Sequence, residues 1–136
     1  MAVASFVAGE MDVTDGTRRP LLVDAGNDAI APFDWVYKNG SVYEIADNTT
    51  LAKSNATGIA ITKCAADGKF VMINSGSFKV TTPTFDADEM YTLSTARGKM
   101  EPDSDKATSD YMTSLGRAIS TTEFVIDIKS YGYQAA

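Results

Sequence analysis

Histidine is absent from this 136-residue chain, and cysteine occurs once, at Cys64. The absence of histidine removes the side chain most often used as a general base or metal ligand near neutral pH. A single cysteine cannot form a disulfide within the chain, so the fold does not depend on an oxidising compartment. Because Cys64 follows an apolar strand pattern, we expect it to be a buried, inert thiol.

Long apolar runs and basic clusters are also missing. No segment approaches the roughly 20 apolar residues of a membrane-spanning helix, and the N-terminus lacks the basic start and apolar run of a signal peptide. The net charge is −6 and the longest basic run is Arg18-Arg19, so nucleic-acid phosphates and anionic membranes would be repelled overall. We therefore expect synthesis in the cytoplasm and neither nucleic acid nor membrane as a partner.

Sequence patterns of catalysis are missing as well. There is no Gly-rich phosphate loop and no nucleophile elbow. Carboxylates cluster over residues 86–89 and 101–110, but the second cluster lacks the glycine and the closing glutamate of an EF-hand loop, which favours a solvated acidic loop over a weak cation site. No spacing selects a carboxylate pair for glycoside hydrolysis. We predict no enzyme activity, no catalytic residue, no cofactor and no metal site.

The clearest periodicity that is present lies over residues 123–129, where apolar and charged side chains alternate. This is typical of a strand with one buried face. The apolar set is Phe124, Ile126 and Ile128, and the charged set is Glu123, Asp127 and Lys129.

Further short strands are separated by turn signals. Asn39-Gly40 predicts a β-hairpin with a type I′ turn, and the continuous apolar run Phe70–Ile73 predicts a strand buried on both faces. No segment has a helical period longer than two turns. With 44% apolar and 22% charged residues, the chain is predicted to form one all-β domain, a small β-barrel or β-sandwich.

A weak internal repeat runs through the chain. Four short blocks recur in the same order, which indicates either a duplicated β unit or coincidence among similar short strands. The first set is Pro32-Phe-Asp, Tyr43-Glu-Ile-Ala, Gly58-Ile-Ala-Ile-Thr and Phe70-Val-Met-Ile, and the second is Pro83-Thr-Phe-Asp, Tyr91-Thr-Leu-Ser, Gly116-Arg-Ala-Ile-Ser and Phe124-Val-Ile-Asp-Ile.

The predicted domain boundaries give an N-terminal arm over 1–17, a β domain over 18–130 and a short C-terminal tail over 131–136. The N-terminal segment either packs its few apolar residues on the domain or extends along a neighbouring molecule. By position and chemistry, the candidate contact residues are Phe6, Val7, Met11, Arg18, Arg19, Tyr131 and Tyr133. For each of them, ordinary surface exposure or local packing is the alternative.

Three aromatic residues lie on the strands of the predicted hairpin: Trp35, Tyr37 and Tyr43. They could form a platform on which a sugar ring stacks. The alternative is that they fill the core or an interface, as aromatic residues on strands commonly do.

The chain resembles the small capsid cement (decoration) and head-fibre proteins of tailed bacteriophages. The resemblance covers roughly residues 20–130 and is joined upstream by Gly40–Ala46 and Gly58–Thr62. The matching positions are Tyr91, Leu93, Ser94, Gly98, Lys99, Pro102, Tyr111, Met112, Thr113, Leu115, Gly116, Ala118, Ser120 and Thr122. The aliphatic strand that precedes Pro20 in some relatives is poorly formed here.

This resemblance implies a non-enzymatic virion protein on the outer surface of an icosahedral capsid. Its expected partners are the major capsid protein, whose subunits it would bridge, and further copies of itself, as a homotrimer or a dimer. Arg18 and Arg19 would then pair with acidic groups of the shell. The alternative function is a receptor- or carbohydrate-binding module displayed on the virion, using the aromatic platform; a small hydrolase is a third class.

Overall fold

The computed structural model describes residues 12–13, 20–80, 84–102 and 111–134. In this part of the chain every regular element is a β-strand, so no helix is present that could cross a membrane. The eleven strands are β1 Asp12–Val13, β2 Leu21–Asp24, β3 Trp35–Asn39, β4 Val42–Ile45, β5 Ala56–Ala60, β6 Lys69–Ile73, β7 Gly76–Lys79, β8 Met90–Leu93, β9 Met100–Pro102, β10 Tyr111–Ala118 and β11 Glu123–Gln134.

The strands form two antiparallel sheets that pack face to face. The six-stranded sheet has the order β1-β7-β11-β10-β8-β9, and the five-stranded sheet has the order β2-β6-β5-β3-β4. The chain passes between them at 74–75, which join β6 to β7. Of the two predicted architectures, the sandwich is therefore the correct one, and no closed barrel is present in the described residues.

Both sheets have the same internal strand order. Adding five to each strand number of the order β2-β6-β5-β3-β4 gives β7-β11-β10-β8-β9, and every pairing in both sets is antiparallel. Two pairs of repeated blocks fall on equivalent strands. The blocks at Gly58 and Gly116 lie on β5 and β10, and the blocks at Phe70 and Phe124 lie on β6 and β11. In a third pair, the two blocks precede β3 and β8. The fourth pairing, Tyr43 with Tyr91, is wrong because β8 corresponds to β3. This arrangement is what a duplicated unit of five strands produces.

The hairpin predicted at Asn39-Gly40 is confirmed, but its turn differs. Asn39 pairs with Val42, so the two-residue loop is Gly40-Ser41 rather than Asn39-Gly40. Gly40 has φ +67° and Ser41 has no positive φ. A positive φ at the first central position alone is the pattern of a type II′ turn, which takes glycine there, and not of type I′.

The main core lies between the sheets and is rich in aromatic side chains. The Phe124 ring lies at its centre, with ring centroids 5.5 Å from Phe78, 5.4 Å from Phe85, 5.8 Å from Tyr91 and 6.3 Å from Trp35. Trp35 comes from the five-stranded sheet, while Phe78, Tyr91 and Phe124 come from the six-stranded sheet. Aromatic pairs at these separations add to the free energy of burial.

A second core covers the other face of the five-stranded sheet. Val36, Ala60, Phe70 and Met72 are buried there against the segment that contains Ile30. The neighbouring strand residues point into the main core, so this sheet is buried on both faces. The prediction of a doubly buried strand at Phe70–Ile73 is confirmed.

Backbone hydrogen bonds join the two sheets at one end of the sandwich. The Trp35 N–H donates to the Gly98 carbonyl at 3.0 Å, the Gly98 N–H donates to the Ala46 carbonyl at 2.8 Å, and the Ala46 N–H donates to the Trp35 carbonyl at 2.8 Å. Gly98 has φ +74°, and a Cβ there would approach Asp34 Oδ1 to 2.7 Å. Glycine is favoured at this position, because the positive φ strains other residues and a Cβ would press against the Asp34 and Ile45 side chains.

The polar sequence over 48–55 predicts a loop or a single helical turn, and the structure shows an irregular loop with turns over 46–55. Asn48 is buried and ties this loop to the six-stranded sheet. The side-chain Nδ2 of Asn48 donates to the Leu93 carbonyl at 3.0 Å, and the main-chain carbonyl of Asn48 accepts from the Tyr111 N–H at 3.1 Å. The Thr113 hydroxyl also donates to the Ser54 carbonyl. The loop thereby holds β8 and β10 in place.

Replacing Phe124 by alanine should lower the free energy of unfolding by about 3–5 kcal/mol, because the cavity would lie at the centre of the ring cluster. Chemical denaturation followed by tryptophan fluorescence measures the change, since Trp35 is the one tryptophan. Leu22→Ala is the control: its side chain is 67% exposed, so a change within about 0.5 kcal/mol is expected. Equal effects of the two substitutions would contradict the assignment of the core.

Candidate interaction surfaces

The structure does not bring the predicted aromatic platform to the surface. Trp35 is fully buried and Tyr37 is 8% exposed, while Tyr43 is half-buried with its ring edge-on to Phe70. A sugar ring needs an accessible aromatic face to stack on. The sugar-platform hypothesis is corrected on this ground, and the alternative that these residues fill the core holds for Trp35 and Tyr37.

The other predicted contact residues lie mostly outside the described part of the chain. That group comprises Phe6, Val7, Met11, Arg18 and Arg19. Within the predicted arm, Asp12 and Val13 are described, and as β1 they pair with Lys79 and Phe78 at the edge of the six-stranded sheet. At the other end of the chain, the backbone of Tyr131 and Tyr133 continues β11, which runs to Gln134.

The structure reveals an exposed apolar surface that the sequence reasoning missed. It lies on the outer face of the six-stranded sheet and is called here the outer apolar face: Met90, Ile119 and Val125, with Arg117 and Asp127. Register pairs Arg117 with both Met90 and Val125, so these three lie in one row across β8, β10 and β11. Together the five residues line an open groove of about 300 Å³.

The exposure of this face is substantial for large apolar side chains. Met90 is 39%, Val125 36% and Ile119 48% exposed. A signal for it was present in the sequence, because Val125 stands between Glu123 and Asp127 on the outward side of the alternating strand. Val125 alone is an ordinary exposed residue, and only its grouping with Met90 and Ile119 on one face makes a candidate interaction site.

The backbone beneath the groove is tightly constrained at Gly116. This residue has φ +145°, and a Cβ there would lie 2.0 Å from the Val125 carbonyl oxygen. The pairing of β10 with both of its neighbours shifts register between Ser114 and Gly116. A glycine at a β-bulge allows this close approach and bends the strand. The outer apolar face therefore lies on a sheet that is bent locally at this bulge.

Several described residues of the resembled pattern occupy core and turn positions. Tyr91, Leu93, Leu115 and Ala118 are fully buried in the main core. The Ser120 hydroxyl accepts from the N–H groups of Thr122 and Glu123, at 3.2 and 3.1 Å, and so closes the turn between β10 and β11. Together with its glycines, the pattern specifies turns and core positions.

Charged groups cluster at the end of the sandwich where the sheets are joined. Arg97 contacts Asp28 at 2.7 Å, and Lys99 Nζ lies 3.7 Å from Asp34 Oδ1. Asp34 is only 6% exposed and accepts from the Ala31 N–H at 2.9 Å. Burial raises the pKa of the Asp34 carboxyl above its ordinary value, and this outweighs the Ala31 N–H and Lys99, which favour the charged form.

The remaining carboxylates and the cysteine form no cluster of metal ligands in the described residues. No group of three histidine, cysteine, aspartate or glutamate side chains is arranged there to hold a metal ion. Most of the acidic segment predicted over 101–110 lies outside the described part, and its first two residues belong to β9. Cys64 is a free thiol, half-buried rather than fully buried as expected, and packs against the second core.

Comparison with known proteins adds no relative: no protein-family model matches the chain, and no curated protein matches it significantly.

Replacing Asp34 by asparagine should change how stability depends on pH. Because the folded-state pKa lies above the unfolded one, the native state holds this proton more tightly, and the stability contributed by Asp34 falls as pH rises from about 4. The free energy of unfolding of Asp34→Asn minus that of the wild type should therefore increase from about pH 4 to pH 7. Denaturation at several pH values measures it. Asp127→Asn, at an exposed carboxylate, is the matched control, and a difference that falls with pH would contradict the assignment.

Proposed function

We propose that this protein is a capsid cement protein: it binds the outer surface of an icosahedral phage capsid and stabilises the shell by bridging major capsid subunits. The observation that carries the proposal is the outer apolar face, centred on Met90, Ile119 and Val125. A shallow, open apolar groove on the outer face of a sheet is suited to bind another protein more than to enclose a small substrate. The proposal is supported independently by the sequence resemblance that runs through β8, β10 and β11.

The charge distribution of this face suits a protein partner. Arg117 and Asp127 are exposed beside the apolar side chains, so the surface combines an apolar centre with charges of both signs. Interfaces between proteins commonly have an apolar centre and a polar rim that selects the partner. The overall charge of −6 argues against a polyanionic ligand at the same surface.

The physical role follows from binding without chemistry. A protein that binds the assembled lattice, but not free subunits, stabilises the lattice by mass action. When one cement molecule contacts two neighbouring subunits, the second contact is intramolecular and gains from a high effective concentration. The weak contacts of a small sheet face thereby add up to strong binding when many copies cover a shell. Proteins that bridge neighbouring subunits in this way resist the outward pressure of packaged DNA.

Replacing Val125 by aspartate should weaken shell binding at least about tenfold, because it places a charge at the centre of the apolar contact. The measurement is co-sedimentation of the purified protein with shells of the accompanying major capsid protein, both undecorated and mature. Leu22→Asp is the matched control, since it makes the same kind of change at an exposed apolar side chain of the other sheet. Thermal denaturation checks that both variants fold.

Two results would contradict this proposal. Wild-type protein that sediments with neither type of shell would remove the cement function. Normal binding by the Val125→Asp variant, with loss of binding by Leu22→Asp, would keep a cement function but assign it to the opposite sheet.

Removing residues 1–11 tests the predicted arm while keeping β1, whose two residues pair with β7. If the arm contacts the shell or a neighbouring copy, the truncated protein should keep the wild-type denaturation curve and lose shell affinity. The longer truncation, of residues 1–17, is the comparison, since it also removes β1 and uncovers β7. Unchanged shell binding by both truncations would assign the interaction to the β domain alone.

A further inference from the structure

An arginine lies in the middle of the outer apolar face. In the row across three strands, Arg117 on β10 stands between Met90 on β8 and Val125 on β11. All three side chains are exposed and line the same groove. Because neighbouring strands are about 4.8 Å apart, a partner that touches both apolar side chains spans roughly 10 Å and covers the residue between them. Arg117 is therefore part of any contact made through this row.

The charged side chains on the outward side of β11 have oppositely charged neighbours. Asp127 Oδ2 lies 3.8 Å from Lys129 Nζ, and the strand register places Glu123 opposite Lys79 of β7. Arg117 forms no ion pair with any residue in the described part of the chain, although it lines the same groove as Asp127. The guanidinium is thus the charged group at the centre of this face, and among the described residues it has no counterpart.

Covering this arginine places a demand on the partner. A guanidinium that leaves water without gaining an acceptor is strongly unfavourable, whereas a facing carboxylate offsets that loss through charge-assisted hydrogen bonds. The five N–H donors of arginine form a planar fork that matches the two oxygens of a carboxylate. The methylene stem of Arg117 is itself apolar and continues the row between Met90 and Val125. The face therefore favours a partner segment in which an acidic side chain is flanked by apolar ones.

We propose that the capsid segment bound by the outer apolar face presents an aspartate or glutamate between apolar side chains, and that Arg117 selects this segment by pairing with its carboxylate. The inference rests on the proposed function, since it takes the partner to be a capsid protein. It adds a specificity-determining residue to a contact that Met90, Ile119 and Val125 alone would make with many apolar surfaces. Arginines at the centre of an interface commonly contribute more to binding than charges at its rim.

Replacing Arg117 by glutamine removes the charge and should raise the dissociation constant for shells at least about thirtyfold. The measurement is a binding isotherm from co-sedimentation of the full-length protein with undecorated and mature shells of the accompanying major capsid protein. Lys79→Gln is the matched control, because it removes one positive charge from an exposed side chain of the same sheet; a change below about threefold is expected. Arg117→Lys should lie between, since an ammonium keeps the charge and loses the planar fork.

The salt dependence of binding separates an ion pair from a purely structural role of Arg117. Raising sodium chloride from about 0.1 to 1 M shortens the Debye length from about 10 to 3 Å, so wild-type affinity should fall. The fall should be smaller for Arg117→Gln, which has no guanidinium to be screened, and should keep its wild-type size for Lys79→Gln. Thermal denaturation of each variant at both salt concentrations checks that the protein stays folded.

Three results would overturn the inference, and they differ in what else they remove. Unchanged shell binding by Arg117→Gln, alongside weakened binding by Val125→Asp, would remove the charged contact and leave the cement function in place. Equal losses in Arg117→Gln and Lys79→Gln would do the same, since overall charge and not a located pair would then govern binding. Wild-type protein that binds neither type of shell would remove the cement function and this inference with it.

Discussion

The structure depends on the burial of one aromatic cluster between two sheets, with Phe124 in contact with rings from β3, β7 and β8. This contact fixes the first half of β11, since Phe124 and Ile126 are both buried in the main core. Ile128 is only partly buried, so the core constrains the strand less beyond this point. Among the described residues, β7 and β10 both flank residues 123–126, and β10 alone continues beside the rest of β11.

The two halves of the sandwich share a strand order but not an environment. In the five-stranded sheet, the face turned away from the main core is covered by the segment around Ile30, which is 3% exposed. In the six-stranded sheet, the corresponding face retains Met90 and Val125 at the surface. A duplicated unit would begin with two equivalent outer faces. In this structure one face is covered by a second core, and the other leaves large apolar side chains exposed.

Much of the fold could be predicted from the sequence because local rules determine it. The alternation of apolar and charged side chains over 123–129 correctly predicted a strand. The dipeptide Asn39-Gly40 correctly predicted a hairpin. The turn type was wrong because register, and not dipeptide identity, decides which residues occupy the turn. The candidate site was harder. Trp35 is buried by contacts with residues distant in sequence, and the exposure of Met90 and Ile119 depends on strands from separate segments meeting on one face, which no local pattern encodes.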